Sequence, residues 1–149
     1  MNLRKRSGRY CFGILLLVGF LGSAGAAELK AKYVSPESLP GAVRVSAEKV
    51  IYLVDTIPEL VIIDSRTAND RQMGHIEGSI GLTDIYTDCG ILANYLQTKA
   101  SPVLFYCNGI NCKRSDNAVK IARECEYTQI YWFRGGIEEW REKKLPLVQ

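Results

Sequence analysis

The stretch VLFYCNGINCKRS, residues 103–115, determines the fold that the sequence predicts. Its first four residues are apolar and indicate a strand that is buried on both faces. A loop that contains glycine follows, and Ser115 begins an amphipathic helix predicted over residues 115–125. A buried strand that leads through a short loop into a helix is typical of a parallel α/β fold.

The rest of the chain after residue 42 repeats this alternation of short apolar runs and amphipathic stretches. Ser46 and Thr67 are predicted to cap helices. The predicted strands are LVII at 60–63, SIGL at 79–82 and QIYWF at 129–133, and the further helices cover 47–54, 68–73, 88–99 and 137–143. Strands separated by helix-length segments predict an α/β fold with a central parallel sheet and helices on both faces.

The first 27 residues have the pattern of a secretory signal peptide. Residues 2–9 hold four basic residues and no acid, residues 10–22 are apolar, and residues 23–27 are small. An uncleaved membrane anchor is the alternative, but the apolar run is shorter than the roughly 20 residues that a spanning helix needs. We therefore expect a periplasmic or secreted protein with no stable membrane insertion after cleavage. Residues 28–42 are then an extended lead-in to one domain over residues 43–149.

The charge of the expected mature chain is close to balanced. The whole chain has 19 basic and 16 acidic residues, and four of the basic ones lie in the signal segment. This leaves 15 basic residues against 16 acidic ones, a net charge of −1. Nucleic-acid binding would need a basic stripe, so no nucleic-acid partner is expected.

Four cysteines remain after the signal segment, and export would permit them to form disulfides. Cys107 and Cys112 are the favoured pair because they are close in sequence, whereas Cys89 and Cys125 are either buried thiols or a second disulfide. A zinc site is not expected, because His75 is the one histidine and the cysteines do not form two CxxC-like knuckles.

Cys107 occupies the position of a nucleophile. It follows a central strand, and ligand sites in parallel α/β sheets form beyond the carboxyl ends of strands. The loop N–H groups and the positive end of the next helix would stabilise a thiolate or a persulfide there, and Lys113 and Arg114 add positive charge. The same groups would hold an incoming oxyanion. The alternative is a buried cysteine that acts as a small hydrophobic residue.

Three segments resemble blocks of the rhodanese family, in the family's order and spacing. They are VIIDSRTANDRQMGHIEGSIGL at 61–82, FYCNGINCKRSDNAVKIA at 105–122 and IYWFRGGIEEWREKKLPLV at 130–148. The resemblance implies a rhodanese-like fold and a single-domain sulfurtransferase. Cys107 would accept sulfane sulfur from a small anionic donor such as thiosulfate and pass it to a thiol or cyanide, with no cofactor and no metal.

The resemblance also assigns roles to other residues. The loop after Cys107 would bind the substrate, through Asn108, Gly109, Ile110, Asn111, Cys112, Lys113 and Arg114. In the matched motif the position of His75 is structural, and a general base is the alternative. The residues themselves indicate that Asp64 and Arg66, just past the predicted strand, form a buried ion pair that positions the loop, because arginine suits such pairs; the alternative is that Arg66 faces the anion cradle.

The loop departs from the common pattern CxxGxRS. Arg114 and Ser115 follow Cys107 at seven and eight positions, so the loop is two residues longer. In related phosphatases of this fold, a lengthened loop accompanies phosphate-type substrates, which leaves the donor open. Cys112 is a candidate resolving thiol that attacks a persulfide, or it packs under the loop. Two other hypotheses stay open: a thiol–disulfide redox module that uses Cys107 and Cys112, and a non-catalytic domain that binds an anion or an envelope protein partner.

Overall fold

The computed structural model describes residues 32–149, so the expected signal peptide and the first residues of the lead-in lie outside it. The strands are β1 (Val43–Arg44), β2 (Val61–Asp64), β3 (Ile80–Gly81), β4 (Val103–Tyr106) and β5 (Ile130–Phe133). The α-helices are α1 (Ala47–Thr56), α2 (Ala68–Gln72), α3 (Cys89–Ala93), α4 (Arg114–Glu124) and α5 (Gly136–Glu142). A 3₁₀ helix covers Asp84–Tyr86.

The strands form one parallel sheet in the order β1-β5-β4-β2-β3. Strand β4 lies in the centre, where Phe105 pairs in register with Ile63 of β2 and with Trp132 of β5. All four residues of β4 are buried, because helices cover the sheet on both sides. The α/β fold with a central parallel sheet is confirmed.

Two apolar cores lie on the two faces of the sheet, because successive side chains of a strand point to opposite sides. Val103 and Phe105 belong to one core together with residues of α3 and α4, such as Leu92 and Val119. The alternate residues of β4 belong to the other core, which the helices α1 and α5 cover.

Local signals place the helix starts where the sequence predicts them. The Ser46 side chain accepts a hydrogen bond from the N–H of Lys49, and the Thr67 side chain accepts one from the N–H of Asp70. The helix predicted over 88–99 is wrong in length and ends at Ala93. Asn94 is the C-cap, and the N–H groups of Tyr95 and Leu96 both donate to Leu92 O, so the regular helical ladder stops there.

Residues 32–42 follow the surface of the domain without a regular helix or strand. Leu39 is buried in the core on the α3 and α4 side. The Arg134 guanidinium, just after β5, donates to Pro36 O at 2.7 Å and to Ser35 O at 2.8 Å. These contacts hold the segment against the carboxyl end of the sheet. None of the helices within residues 32–149 is both long and apolar enough to cross a membrane.

Candidate active site

Cys107 lies at the carboxyl end of β4, and the loop that follows it leads into α4. The N-terminus of α5 holds the start of this loop. Ile137 N–H donates to Cys107 O at 3.0 Å, and Glu138 N–H donates to Asn108 O at 2.8 Å. The backbone of the candidate nucleophile is therefore fixed by the first turn of a neighbouring helix.

Gly136 permits this close approach. Its φ is +55°, which favours glycine, and an added Cβ would lie 2.9 Å from the carbonyl carbon of Cys107 and 3.0 Å from that of Asn108. The Cβ would also overlap the carbonyl oxygen of Cys107. The glycine pair that the sequence marks as a strand-to-helix turn is thus also part of the wall behind the loop.

Most N–H groups of the loop have no backbone hydrogen-bond acceptor within residues 32–149. The N–H of Cys112 donates to Gly109 O at 3.0 Å. Those of residues 108–111 and 113–116 have no backbone acceptor within residues 32–149. The last of these open the helix α4, where unpaired N–H groups and the helix dipole favour an anion. Unpaired N–H groups and a helix N-terminus are the features of an anion-binding site, and the loop has both.

A cavity of about 610 Å³ opens over the loop. Its lining comprises Tyr33, Asp84, Ile85, Asn108, Asn111, Cys112, Lys113, Arg114 and Glu138. Five of the seven loop residues that the sequence assigns to substrate binding line it. Gly109 is covered by the Glu138 side chain, and Ile110 O accepts a hydrogen bond from Ser35 N–H at 2.7 Å, so these two residues hold the loop in place.

Residues 32–149 contain two disulfides. Cys107 is joined to Cys112 within the loop, with a Cα–Cα distance of 6.2 Å. Cys89, at the start of α3, is joined to Cys125, just after α4, with a Cα–Cα distance of 5.3 Å. The first bond places the candidate nucleophile and the second thiol of the loop in direct chemical contact. The second bond closes the core on the α3 and α4 side.

Carboxylates converge on the loop from three other elements. Glu138 of α5 lies against Gly109, and Asp84 of the 3₁₀ helix lines the cavity. Asp70 of α2 has a pKa below its ordinary value, because Thr67 hydrogen-bonds to it, with a further hydrogen bond from Asn108 and the charge of Arg114 contributing. The positive charge that Lys113 and Arg114 bring to the loop therefore has acids from distant segments beside it.

Asp116 is fully buried at the start of α4. Its carboxylate accepts a hydrogen bond from Tyr33 Oη at 2.6 Å and one from Ser115 Oγ at 3.3 Å. Burial, together with the hydrogen bond to Asp116 and its negative charge, raises the pKa of Tyr33 to about 12. The Tyr33 hydroxyl therefore stays protonated at neutral pH, and it ties the N-terminal segment to the base of α4.

Asp64 and Arg66 form a buried ion pair, with Arg66 Nη2 at 2.7 Å from Asp64 Oδ2. Burial opposes the ionisation of Asp64. Hydrogen bonds from Arg66 and Tyr106 and the charge of Arg66 outweigh that penalty, so the pKa of Asp64 lies below its ordinary value. Arg66 also donates to Gly74 O and Asp70 O, at 3.0 and 3.2 Å. Its guanidinium is thus occupied by protein groups, and it does not line the cavity.

His75 also lies apart from the cavity. Its backbone pairs with Val148 near the C-terminus, with N–H to carbonyl distances of 2.8 and 3.0 Å. Its Nδ1 atom is buried without a hydrogen-bond partner in the described part of the chain. These contacts connect His75 to the closing segment of the domain. Among residues 32–149, no group of three or more His, Cys, Asp or Glu side chains is arranged to hold a metal ion.

Four residues of the cavity lie outside the sequence-based assignment: Tyr33, Asp84, Ile85 and Glu138. Glu138 could have been identified from the sequence, because it lies two residues after Gly136. The glycine pair predicts a strand-to-helix turn there, and that turn follows the carboxyl end of a strand. The others belong to segments whose position over the loop depends on long-range packing, and nothing in their local sequence indicates it.

The parallel sheet, with a cysteine loop at the carboxyl end of its central strand, defines the class of this protein. The family model described as rhodanese-like domain matches residues 46–143. The chain belongs to the rhodanese-like domain family.

A relative in Escherichia coli (strain K12), described as uncharacterized protein YibN, is 28% identical over 92 residues. The match covers 61% of this chain and 62% of that protein, so the chain spans less than two thirds of the relative's length.

Two solved structures show the same fold. The thiosulfate sulfurtransferase from Pseudomonas aeruginosa is 20% identical with a TM-score of 0.63, over 72% of this chain and 20% of that one. The polysulfide-sulfur transferase homodimer from Wolinella succinogenes is 24% identical with a TM-score of 0.59, over 72% of this chain and 79% of that one.

Proposed function

We propose that this protein is an exported sulfurtransferase that carries sulfane sulfur as a persulfide on Cys107. The observation that carries the proposal is the loop after β4, which places Cys107 at its base and leaves most of its N–H groups without a backbone acceptor. Membership of the rhodanese-like family supports it. So do the two structural neighbours, both of which are described as sulfur-transferring proteins.

The reaction would proceed by double displacement from the reduced loop. The Cys107 thiolate attacks the outer sulfur of thiosulfate, the sulfur–sulfur bond of the donor breaks, and sulfite leaves with the electron pair. A thiol or cyanide then attacks the outer sulfur of the persulfide, and Cys107 leaves as a thiolate. The loop N–H groups would stabilise the anionic sulfur in both half-reactions, without any cofactor.

The cavity lining contains both positive and negative side chains, and their balance affects how strongly an anionic donor would bind. Lys113 and Arg114 favour an anionic donor, whereas Asp84 and Glu138 in the same lining oppose one. Donor binding therefore depends on the loop N–H groups and not on a strongly positive cavity. This balance supports a donor that makes several hydrogen bonds, as thiosulfate does.

Export is part of the proposal. The pattern of residues 1–27 supports a cleaved signal peptide, although these residues lie outside the described structure. The two disulfides of the domain support an oxidising compartment such as the periplasm. An envelope protein that receives the sulfur would be the natural macromolecular partner.

The proposal is tested by loading the protein with sulfur. Cys112→Ser protein is reduced, freed of reductant and incubated with thiosulfate, and its intact mass is measured. We expect a gain of one sulfur, which peptide mapping places on Cys107, and thiocyanate formation when cyanide is added.

In the same Cys112→Ser background, Cys107→Ser removes both signals, whereas Cys89→Ser is the matched control that retains them. Absence of any adduct with thiosulfate and with polysulfide, in folded protein with a reduced Cys107, would overturn the proposal.

A further inference from the structure

The two cysteines of the loop differ in their access to the cavity. Cys107 is 1% exposed and does not belong to the cavity lining, whereas Cys112 is 9% exposed and does. In the disulfide form, Cys112 therefore covers the sulfur of Cys107. A sulfur donor in the cavity meets Cys112, so the disulfide form cannot load Cys107.

The backbone holds Cys112 within reach of Cys107. Cys112 N–H donates to Gly109 O at 3.0 Å, and Cys112 O accepts a hydrogen bond from Ser35 Oγ at 3.4 Å. Ser35 N–H binds Ile110 O at 2.7 Å, and Arg134 in turn holds Ser35. Because the turn is fixed at three points, the two thiols are expected to remain neighbours after reduction, which gives a high effective concentration.

The surroundings of Cys112 favour its thiolate. Arg114 Nη1 lies 3.8 Å from Cys112 Sγ, and a guanidinium at this distance stabilises negative charge on sulfur. The thiolate is the nucleophile in thiol–disulfide chemistry. The lengthened loop thus holds a second nucleophile, Cys112, next to Cys107, and it places the Arg114 guanidinium beside the Cys112 sulfur.

From these observations we infer that Cys112 is the first acceptor for sulfur-loaded Cys107, so that the loop releases sulfide and closes to a disulfide. The inference rests on the proposed function. The Cys112 thiol first passes its proton to the terminal sulfur of the persulfide anion. The Cys112 thiolate then attacks Cys107 Sγ, the bond between Cys107 Sγ and the sulfane sulfur breaks, and the sulfane sulfur leaves as HS⁻ with the electron pair of that bond. The two cysteines lose two electrons, and the sulfane sulfur gains them.

The cycle then needs an external dithiol. One of its thiols attacks the disulfide at Cys112, the sulfur that lines the cavity, and Cys107 leaves as a thiolate into the loop N–H groups. The second thiol of the reductant releases Cys112 and closes the reductant's own disulfide. The substrate class is thus a sulfane donor together with a dithiol, and the product is sulfide.

A single-turnover experiment tests this inference. Reduced wild-type and Cys112→Ser proteins, both freed of reductant, are mixed with thiosulfate, and sulfide and protein mass are followed. We expect the wild type to release about one sulfide per chain and to form a disulfide that peptide mapping assigns to residues 107–112. Cys112→Ser should keep the extra sulfur and release sulfide on the order of 10-fold or more slowly, because an intramolecular attack is lost.

The outcomes separate the inference from the proposed function. A wild-type protein that keeps a stable persulfide, with no new disulfide, overturns the inference and leaves the sulfurtransferase proposal standing. Absence of an adduct on Cys112→Ser overturns the sulfurtransferase proposal itself. The first-order rate of sulfide release should also be independent of protein concentration, and a rate that rises with concentration would exclude attack within one chain.

Discussion

Substitution of Gly136 by alanine tests whether the start of α5 fixes the Cys107 loop. A left-handed backbone costs an alanine about 1 kcal/mol. The added methyl group would meet the carbonyl groups of Cys107 and Asn108, at 2.9 and 3.0 Å from their carbons, and backbone atoms cannot turn away as a flexible side chain can. Such overpacking costs about 1–3 kcal/mol.

Relief of the clash requires α5 to move away from the loop. That movement lengthens the hydrogen bonds from Ile137 N–H to Cys107 O and from Glu138 N–H to Asn108 O, now 3.0 and 2.8 Å, each worth about 1 kcal/mol. We therefore expect Gly136→Ala to lower the free energy of unfolding by about 3–5 kcal/mol in total. Urea denaturation followed by circular dichroism measures this change.

Gly78→Ala is the matched control. Gly78 also has a positive φ, +73°, but nothing lies within 4 Å of an added Cβ. Its substitution should cost only the backbone term of about 1 kcal/mol and leave sulfur loading of Cys107 unchanged. If Gly136→Ala proves no more destabilising than Gly78→Ala, the contact between α5 and the loop does not have the role assigned to it.

Three further predictions concern the charges and the second disulfide. Asp64 has a pKa below its ordinary value of 3.8, so its ion pair stabilises the fold above about pH 4, and this contribution is lost as the pH falls through the lowered pKa. Asp64→Asn should cost about 3–5 kcal/mol at neutral pH and flatten the acid side of the stability profile, and an unchanged profile in thermal denaturation would contradict this. In Cys112→Ser protein, Glu138→Gln should lower the KM for thiosulfate by about 2–5-fold, because a negative charge is removed from the cavity. The exposed Glu142→Gln should leave this KM unchanged, and equal KM values for the two variants in a thiocyanate assay would refute the prediction. Replacement of both Cys89 and Cys125 by serine should cost about 3–4 kcal/mol in urea unfolding, since that disulfide spans a sequence separation of 36, and a cost near zero would show that the link adds nothing.

Local chemistry allowed much of the fold to be predicted from the sequence. Four consecutive apolar residues marked β4, and the capping side chains of Ser46 and Thr67 marked two helix starts, because these signals act over a few residues. The lengths of elements were less certain. The apolar face of residues 88–99 suggested one helix, but the helix ended at Ala93, and Leu96 reached the core from the irregular segment that follows.

The sequence by itself determined the central strand, the cysteine that follows it and the second thiol five residues later. Only the tertiary structure decided what surrounds them. It paired Cys89 with Cys125, placed Glu138 against the loop, and set Cys112 rather than Cys107 in the cavity lining. The physical reason is the distance along the chain over which each interaction acts. Strand patterns, helix caps and turns depend on neighbouring residues. The charge balance of the site and the access of a donor to each cysteine depend on segments that meet only when both cores are packed.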